Sequence, residues 1–502
     1  MGLFDGIIQG VSALRMKELE RYTTDPFEIQ SEQLFWLLGK GAKTLYGKQH
    51  GFAGVDSFDT YRKVVPITTY DDLRPYIEKG LKGADSLLWP EPVRWYAKSS
   101  GTTEKRSKFI PVSESSLKHS HFKGSRDALY MAANLFPESD AFDGKTLALG
   151  GSQSVTNKEK DIRVGDLSAI MLANAPAWTN WLKVPSLDIM LMDDWEQKID
   201  MIASTTIFQD VRCLAGVPSW FLTLIQKMIA DNGVKTITDI WPNLELFIHG
   251  GVSMEPYREI YKKLIPSERM NYLETYNASE GFFGIQSSAD DDSLLLMLDY
   301  KTYYEFIPMS DWDNPTPKTL TLDEVVVGEN YALVITTPSG LWRYRIGDTI
   351  RFTSTKPYKF KITGRTKLFI NAFGEELMID NTNKAIAAAC KKCDSEMYDY
   401  TVAPIFMGEG SRGAHEWIVE FTTPPTDIEK FGDTLDNELR KVNSDYDAKR
   451  NSVLNRLVIH QAPQGLFNNW LKSEGKLGGQ HKIPRLSNNR QLMEQLLQNC
   501  KI

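Results

Sequence analysis

Apolar positions recur at helical spacing over residues 10 to 47, in "VSALRMKELERY" and again in "SEQLFWLLGKGAKTLYG", which predicts that the chain opens with helices. Beyond residue 140 the pattern changes to short apolar runs alternating with helical stretches. "KTLALGG" predicts a strand, "SLDIMLMDDWEQKIDMIAS" a strand or a helix, and "VRCLAGVP" a strand entering a turn. "SWFLTLIQKMIADNG" predicts a helix ending at Gly233, and "LELFIHGG" a buried strand stopped by paired glycines. Such alternation predicts a mainly parallel sheet covered by helices.

From about residue 292 the pattern turns to hairpins. "EVVVGENYALVITTPSGLWRYRIGDTIRFTS" holds strands separated by "GEN" and "PSG", with a last turn at Gly347 and Asp348. This predicts an antiparallel, barrel-like part over about 292–360. Further on, "DNTNKAIAAACKKC" begins a helix, "EWIVEFTT" reads as a strand, and "DIEKFGDTLDNELRKVNSDYDAKRN" as a charged helix. The expected class is therefore α/β, with a large domain of helix-covered sheets over 1–364 and a small α+β domain over 365–502.

Composition narrows the partners. The 502 residues are 42% hydrophobic and 25% charged, with a net charge of -7, which suits a globular chain and gives no general attraction to nucleic acid or anionic membrane. No apolar run approaches the roughly 20 residues that span a bilayer. The start, "MGLFDGIIQGVSALRMKELERY", lacks a secretion signal and places Gly6 where a myristoylation motif wants Ser or Thr, so the expected location is cytoplasmic. Four cysteines make no disulfide framework, and Cys390 and Cys393 read as reduced thiols on a helix. "KHSHFK", with His119 and His121, has no nearby carboxylate or thiol to complete a metal site and reads as ordinary helix or surface. A small molecule is the expected partner.

"SSGTTEKRSK" is the segment with chemistry to offer. Ser99, Ser100, Thr102 and Thr103 supply donors, Gly101 allows close backbone approach, and Lys108 supplies a counter-charge, the requirements of a phosphate-binding loop. By composition alone such a run more often forms a polar surface loop. Here "VRWYA" before it and "KFIPV" after it both read as strands, which makes it a tight connection at a sheet end. It is not a Walker loop, because GxxxxGK[ST] is absent.

The stretch resembles the phosphate-loop signature of adenylate-forming enzymes, [ST]SGT[TS]xxxxK, and four more segments follow in that superfamily's order. "IHGG" resembles the adenine-binding turn, "YNASEG" the Y-x-x-S/T-E motif, "YRIGD" the Y-x-x-GD motif, and "ITGRTKLFINAFGEEL" the hinge that leads to a mobile C-terminal domain. The variants SSGT, "YNASEGFFG" and "YRIGD", with "GGQHKIPR" near the end, are similar to the auxin-responsive Gretchen Hagen family, whose plant members are acyl acid amido synthetases. The opening segments and "GVPSW" are similar to its bacterial members, and the resemblance covers nearly the whole chain. Two departures stand out: the usual glycine before the lysine is missing within Glu104 to Ser107, where Arg106 offers another anion ligand, and His481 replaces an aromatic residue.

The resemblance implies an ATP- and Mg²⁺-dependent ligase that adenylates a carboxylic acid and passes the acyl group to an amino acid amine. It assigns Ser99, Ser100, Gly101, Thr102, Thr103 and Lys108 to the phosphates, Ser279 to the α-phosphate, Glu280 to Mg²⁺, and Asp348 to the ribose. Gly250, Gly251 and Tyr276 would border the adenine. Arg365 belongs to the nucleotide set and begins the hinge Arg365 to Lys367, and Lys482 or Lys476 would complete the adenylation site. Lys123 or Arg126 would neutralise the acid, although an exposed helix face explains these cations equally well. A thiol-acceptor ligase and a non-catalytic nucleotide-binding homologue are the alternatives; the identity of the acid, the acceptor and the oligomeric state are left open.

Overall fold

The computed structural model describes residues 3–99, 108–151, 153–157, 159–312, 314–366, 369–370, 372–373, 375, 377–406, 412–452, 454–474 and 482–500. By compactness the chain divides into two units, one of residues 1–252 and 264–361, the other of 253–263 and 362–502.

In the first unit the expected opening helices are Leu3–Leu19 and Pro26–Gly41, the latter started by Pro26, whose missing N–H costs nothing in a first turn. The strands follow in chain order as β1 (Trp95–Ser99), β2 (Lys108–Val112), β3 (Lys145–Ala148), β4 (Gln153–Asn157), β5 (Ile162–Gly165), β6 (Lys183–Val184), β7 (Val211–Gly216) and β8 (Leu246–Gly250). Next come β9 (Asn271–Ala278), β10 (Gly281–Gln286), β11 (Leu294–Leu296), β12 (Tyr303–Pro308), β13 (Asn330–Thr336), β14 (Tyr344–Thr355) and β15 (Tyr358–Arg365). The ambiguous "SLDIMLMDDWEQKIDMIAS" is helical, as Leu187–Met190 and Trp195–Thr206. The helix Pro218–Asn232 stops at Gly233, whose φ of 63° is the left-handed cap that glycine takes without strain.

One sheet of eleven strands runs β12-β13-β14-β15-β11-β10-β9-β8-β7-β3-β6. The expected parallel part is β9-β8-β7-β3-β6. The hairpin strands continue that same sheet, because β9 turns back antiparallel onto β10, β10 onto β11, and β11 onto β15. These strands are covered on both faces: Phe306, Val334, Ile335, Ile350 and Phe360 are each 0% exposed, although Val334 and Ile335 are consecutive and point to opposite faces. A second sheet, β2-β1-β5-β4, carries the β1–β2 hairpin.

The second unit is built on the antiparallel pair Glu396–Ile405 and Ala414–Thr423, with Val458–Ala462 parallel to the latter. The helices Ile379–Lys392 and Ile428–Val442 belong to it, and the charged stretch after the latter continues, beyond Asn443, as the separate helix Ser444–Ser452. The short segment 253–263 is held in this unit by Arg485, which donates to the Tyr257 hydroxyl at 2.7 Å, and by the Lys263–Glu396 ion pair. Among the described residues no helix is long and apolar enough to cross a membrane.

Candidate functional site

The parallel strands β8 and β9 are neighbours, so their carboxyl ends open on the same edge of the sheet, where ligands of open α/β sheets bind. β8 ends in Gly250, which pairs with Thr275 so closely that a Cβ would lie 2.4 Å from the Thr275 carbonyl oxygen. The Thr275 hydroxyl donates to the His249 carbonyl at 3.1 Å, locking the two strands there. Gly251 has a φ of 80°, so the chain leaves the strand in a conformation open to glycine. β9 ends in the two-residue turn Ser279–Glu280 that returns as β10, with both side chains 6% exposed.

Asp348 reaches this edge from β14. The Tyr276 hydroxyl donates to an Asp348 carboxylate oxygen, and the Tyr276 ring is fixed edge-on by Phe283 at 5.1 Å and Phe360 at 6.2 Å between centroids. Gly347, with φ 91°, makes the bend that presents Asp348. The start of the strand is anchored by Arg343, 5% exposed, whose guanidinium makes five hydrogen bonds, to both Glu305 carboxylate oxygens, the Arg62 and Val65 carbonyls and the Thr319 hydroxyl. Tyr344 is 1% exposed and packs in the core, while Arg345 stacks 3.6 Å from the Trp312 ring. In the YRIGD segment, then, the tyrosine and arginine build the strand, and Asp348 meets the Tyr276 hydroxyl at the sheet edge.

The phosphate-loop candidate lies between β1 and β2, which pair antiparallel so that Ser99 stands opposite Lys108. The Lys108 ammonium sits 5.6 Å from the Tyr70 ring centroid, and the Tyr70 hydroxyl accepts from the Phe109 N–H at 3.0 Å. Ser100, Gly101, Thr102, Thr103 and Arg106 lie outside the described residues, as do Lys367, Lys476 and His481. The division between the units falls within β15, so Arg365 at its end belongs to the second unit, as does Lys482, which is half-buried.

The helical stretch after β2 joins the hairpin to the β9–β10 turn. It begins at Ser113, whose hydroxyl caps Ser116 N–H at 2.9 Å, passes through a π-helical turn at Leu117–His121, and continues as Phe122–Leu135. The Ser120 hydroxyl accepts from the Phe282 N–H at 2.9 Å, and Gly124 lets the helix lie against the Phe282 ring, where a Cβ would be 2.3 Å away. His121, read from the sequence as ordinary helix or surface, is 0% exposed and bonds through Nδ1 to the Asn277 side chain at 2.9 Å. Burial pushes its pKa down to about 4, so it is neutral near pH 7. Lys123 pairs with Asp299 at 3.0 Å and Arg126 lies 3.5 Å from Asp127, so each has a carboxylate within the chain. The positioning residues Thr275 and Arg343 carry no local motif, and Asn277 fills an unspecified position of "YNASEG", where only the period-two alternation hints that it faces away from Tyr276.

Compared with solved structures, the fold is shared with an acyl acid amido synthetase and with an acyl-CoA ligase. It matches a GH3.15 acyl acid amido synthetase solved with 2,4-DB, at a TM-score of 0.79 and 20% identity over 97% of this chain and 95% of that one. It also matches a 2-hydroxyisobutyryl-CoA ligase in its postadenylation state, at a TM-score of 0.62 and 12% identity over 96% and 94%. Models of the GH3 family N-terminal, central and C-terminal domains match residues 15–270, 295–365 and 380–491, and the chain belongs to the GH3 family. Among curated proteins it is similar to indole-3-acetic acid-amido synthetase GH3.15 of Arabidopsis thaliana, 24% identical over 96% of this chain and 94% of the relative. It is likewise similar to jasmonoyl–L-amino acid synthetase JAR6 of Nicotiana attenuata, 23% identical over 94% and 92%.

Proposed function

We propose that the chain is an ATP-dependent acyl acid amido synthetase. The observation that carries this reading is the convergence, on one sheet edge of a GH3 family member, of the Gly250–Gly251 strand end, the Ser279–Glu280 turn and the Tyr276-held Asp348. A substrate carboxylate oxygen attacks the α-phosphorus of ATP; the bond to the β-phosphate breaks, and pyrophosphate leaves. An amino acid amine then attacks the acyl carbonyl; the C–N bond forms, the C–O bond to AMP breaks, and the amine loses a proton.

Each residue serves a stage of this. Ser99 to Thr103 and Lys108 hold the β- and γ-phosphates with hydroxyls, backbone N–H groups and a cation. Gly250 and Gly251 leave room for the adenine against backbone, bordered by Tyr276, and Asp348, oriented by the Tyr276 hydroxyl, accepts from the ribose hydroxyls. Ser279 donates to the α-phosphate as charge builds there. Glu280, a hard oxygen donor buried at the turn, fits Mg²⁺, which when bound neutralises phosphate charge. Lys482 or Lys476 supplies the lysine that adenylation calls for, and Arg365 begins the hinge segment.

The test is ATP/pyrophosphate exchange over a panel of carboxylic acids, followed by AMP release on adding amino acids or coenzyme A. Acid-dependent exchange with amino acid-dependent AMP release is expected. Exchange with release only on coenzyme A would replace the amide reading by a thioester one, and no exchange with any acid would favour a non-catalytic nucleotide binder.

A further inference from the structure

On β9, next to the strand end, a side-chain amide is aimed by its neighbours and only half used. Tyr276 is buried on the face of β9 where it meets Asp348, and the next residue, Asn277, points to the other face, toward the 113–135 helical stretch. Asn277 is half-buried and stands two positions before Ser279. Its Oδ1 lies 2.9 Å from Nδ1 of His121, and its Nδ2 donates to the sulfur of Met171, at 3.5 Å, on the helix Leu167–Asn174.

These two contacts fix which way the amide faces. His121 is neutral near pH 7, and with Oδ1 opposite Nδ1 the imidazole carries its proton on that nitrogen and donates it. Reversed, the amide would set its oxygen against the Met171 sulfur, with no hydrogen between them. Buried His121 therefore holds the carbonyl end and turns the NH2 group toward Met171. A thioether is a weak acceptor and takes one N–H; the second has no acceptor among the described residues. The cations that the sequence offered for an acid substrate, Lys123 and Arg126, are held by Asp299 and Asp127.

We propose that Asn277 receives the substrate carboxylate, its Nδ2–H donating to one oxygen while the other oxygen faces the α-phosphorus at Ser279. The inference rests on the adenylating reaction proposed above and adds to it the group that binds the acid. Tyr276 and Asp348 take the nucleoside on one face of β9, which leaves the face of Asn277 and Met171 for the acid. A neutral donor suits the step. The carboxylate carries its charge before attack and passes it to the phosphoryl oxygens during attack, so a cation on it would stabilise the ground state more than the transition state. An amide N–H orients the acid and leaves its oxygen nucleophilic.

The test is ATP/pyrophosphate exchange by the full-length protein with an acid that supports it, varying the acid at saturating ATP and ATP at saturating acid. Asn277→Ala should raise the KM for the acid about tenfold or more, the scale of a hydrogen bond to a charged group, and leave the KM for ATP within about twofold. Asn277→Asp, which keeps the shape and loses the donor, should raise the KM for the acid further, because it sets a second carboxylate against the first. If Asn277→Ala fails to fold with His121 left unmatched, the double variant His121→Leu, Asn277→Ala removes both ends of that buried bond and should show the same selective rise. A rise shared equally by acid and ATP would make Asn277 a support of the strand end and nothing more, and unchanged values for both would remove it from the site; either result overturns the proposal. Absence of exchange in the unsubstituted protein with every acid is failure of the reaction itself, a separate result that would take this inference with it.

Discussion

Around Arg343 and around Glu280 the first unit buries charge in two different ways. Arg343 and Glu305 are 5% and 1% exposed, and every guanidinium N–H of Arg343 is spent on a partner within the chain, which fastens β14 to the segment at residues 62–65. At the strand ends, by contrast, geometry comes from backbone: Gly250 by close approach, Gly251 and Gly347 by left-handed φ, and a two-residue turn that carries Ser279 and Glu280. The first arrangement holds the fold, and the second presents donors and carboxylates at a sheet edge. Substitutions should therefore separate them, with stability lost at one and activity at the other.

The largest effect is expected at Glu280: Glu280→Ala should lower acid-dependent ATP/pyrophosphate exchange by about 10²–10³-fold or more, with the denaturant midpoint little changed. Near-normal exchange would reject the metal role. Arg343→Met should do the reverse in kind, costing about 3 kcal/mol of stability by taking from buried Glu305 its two-pronged partner and leaving it only Arg62 at 3.7 Å and the Thr319 hydroxyl, read as a drop in the urea midpoint at unchanged slope.

The third expectation concerns pH. Folded His121 takes up its proton near pH 4, whereas an unfolded histidine does so near its ordinary value of 6.5. Between those values the unfolded chain binds the extra proton, so stability falls as pH drops through the window, by up to about 1.4 kcal/mol per pH unit from this group. His121→Gln, which keeps a donor for Asn277 and cannot titrate, should flatten that slope; an unchanged slope would remove His121 from the account. Smaller still, Gly251→Ala should cost about 1–2 kcal/mol for a left-handed alanine. Removing the exposed Glu259–Lys262 pair should change stability by less than about 0.5 kcal/mol.

Much of this was legible before any coordinates. The strands flanking "SSGTTEKRSK" and the glycine-ended "LELFIHGG" were visible because their signals are local, period two and paired glycines, whereas Gly347–Asp348, expected as a turn, lies inside the single strand Tyr344–Thr355. The continuity of the eleven-stranded sheet was not, since it depends on β11 pairing with β15, about sixty positions later in the chain, a choice made by packing. Nor was the inclusion of 253–263 with the C-terminal unit, which rests on Tyr257 meeting Arg485. His121 looked like one more polar helix position, because its burial is decided by Asn277, 156 residues away.

What accepts the acyl group distinguishes an amide-forming ligase from a thioester-forming one. The direct measurement is mass spectrometry of reactions containing the protein, ATP, Mg²⁺, an acid that supports exchange, and either an amino acid mixture or coenzyme A. An N-acyl amino acid formed together with AMP, and absent in Glu280→Ala, is the predicted result; an acyl thioester with no amide at any amino acid would contradict it.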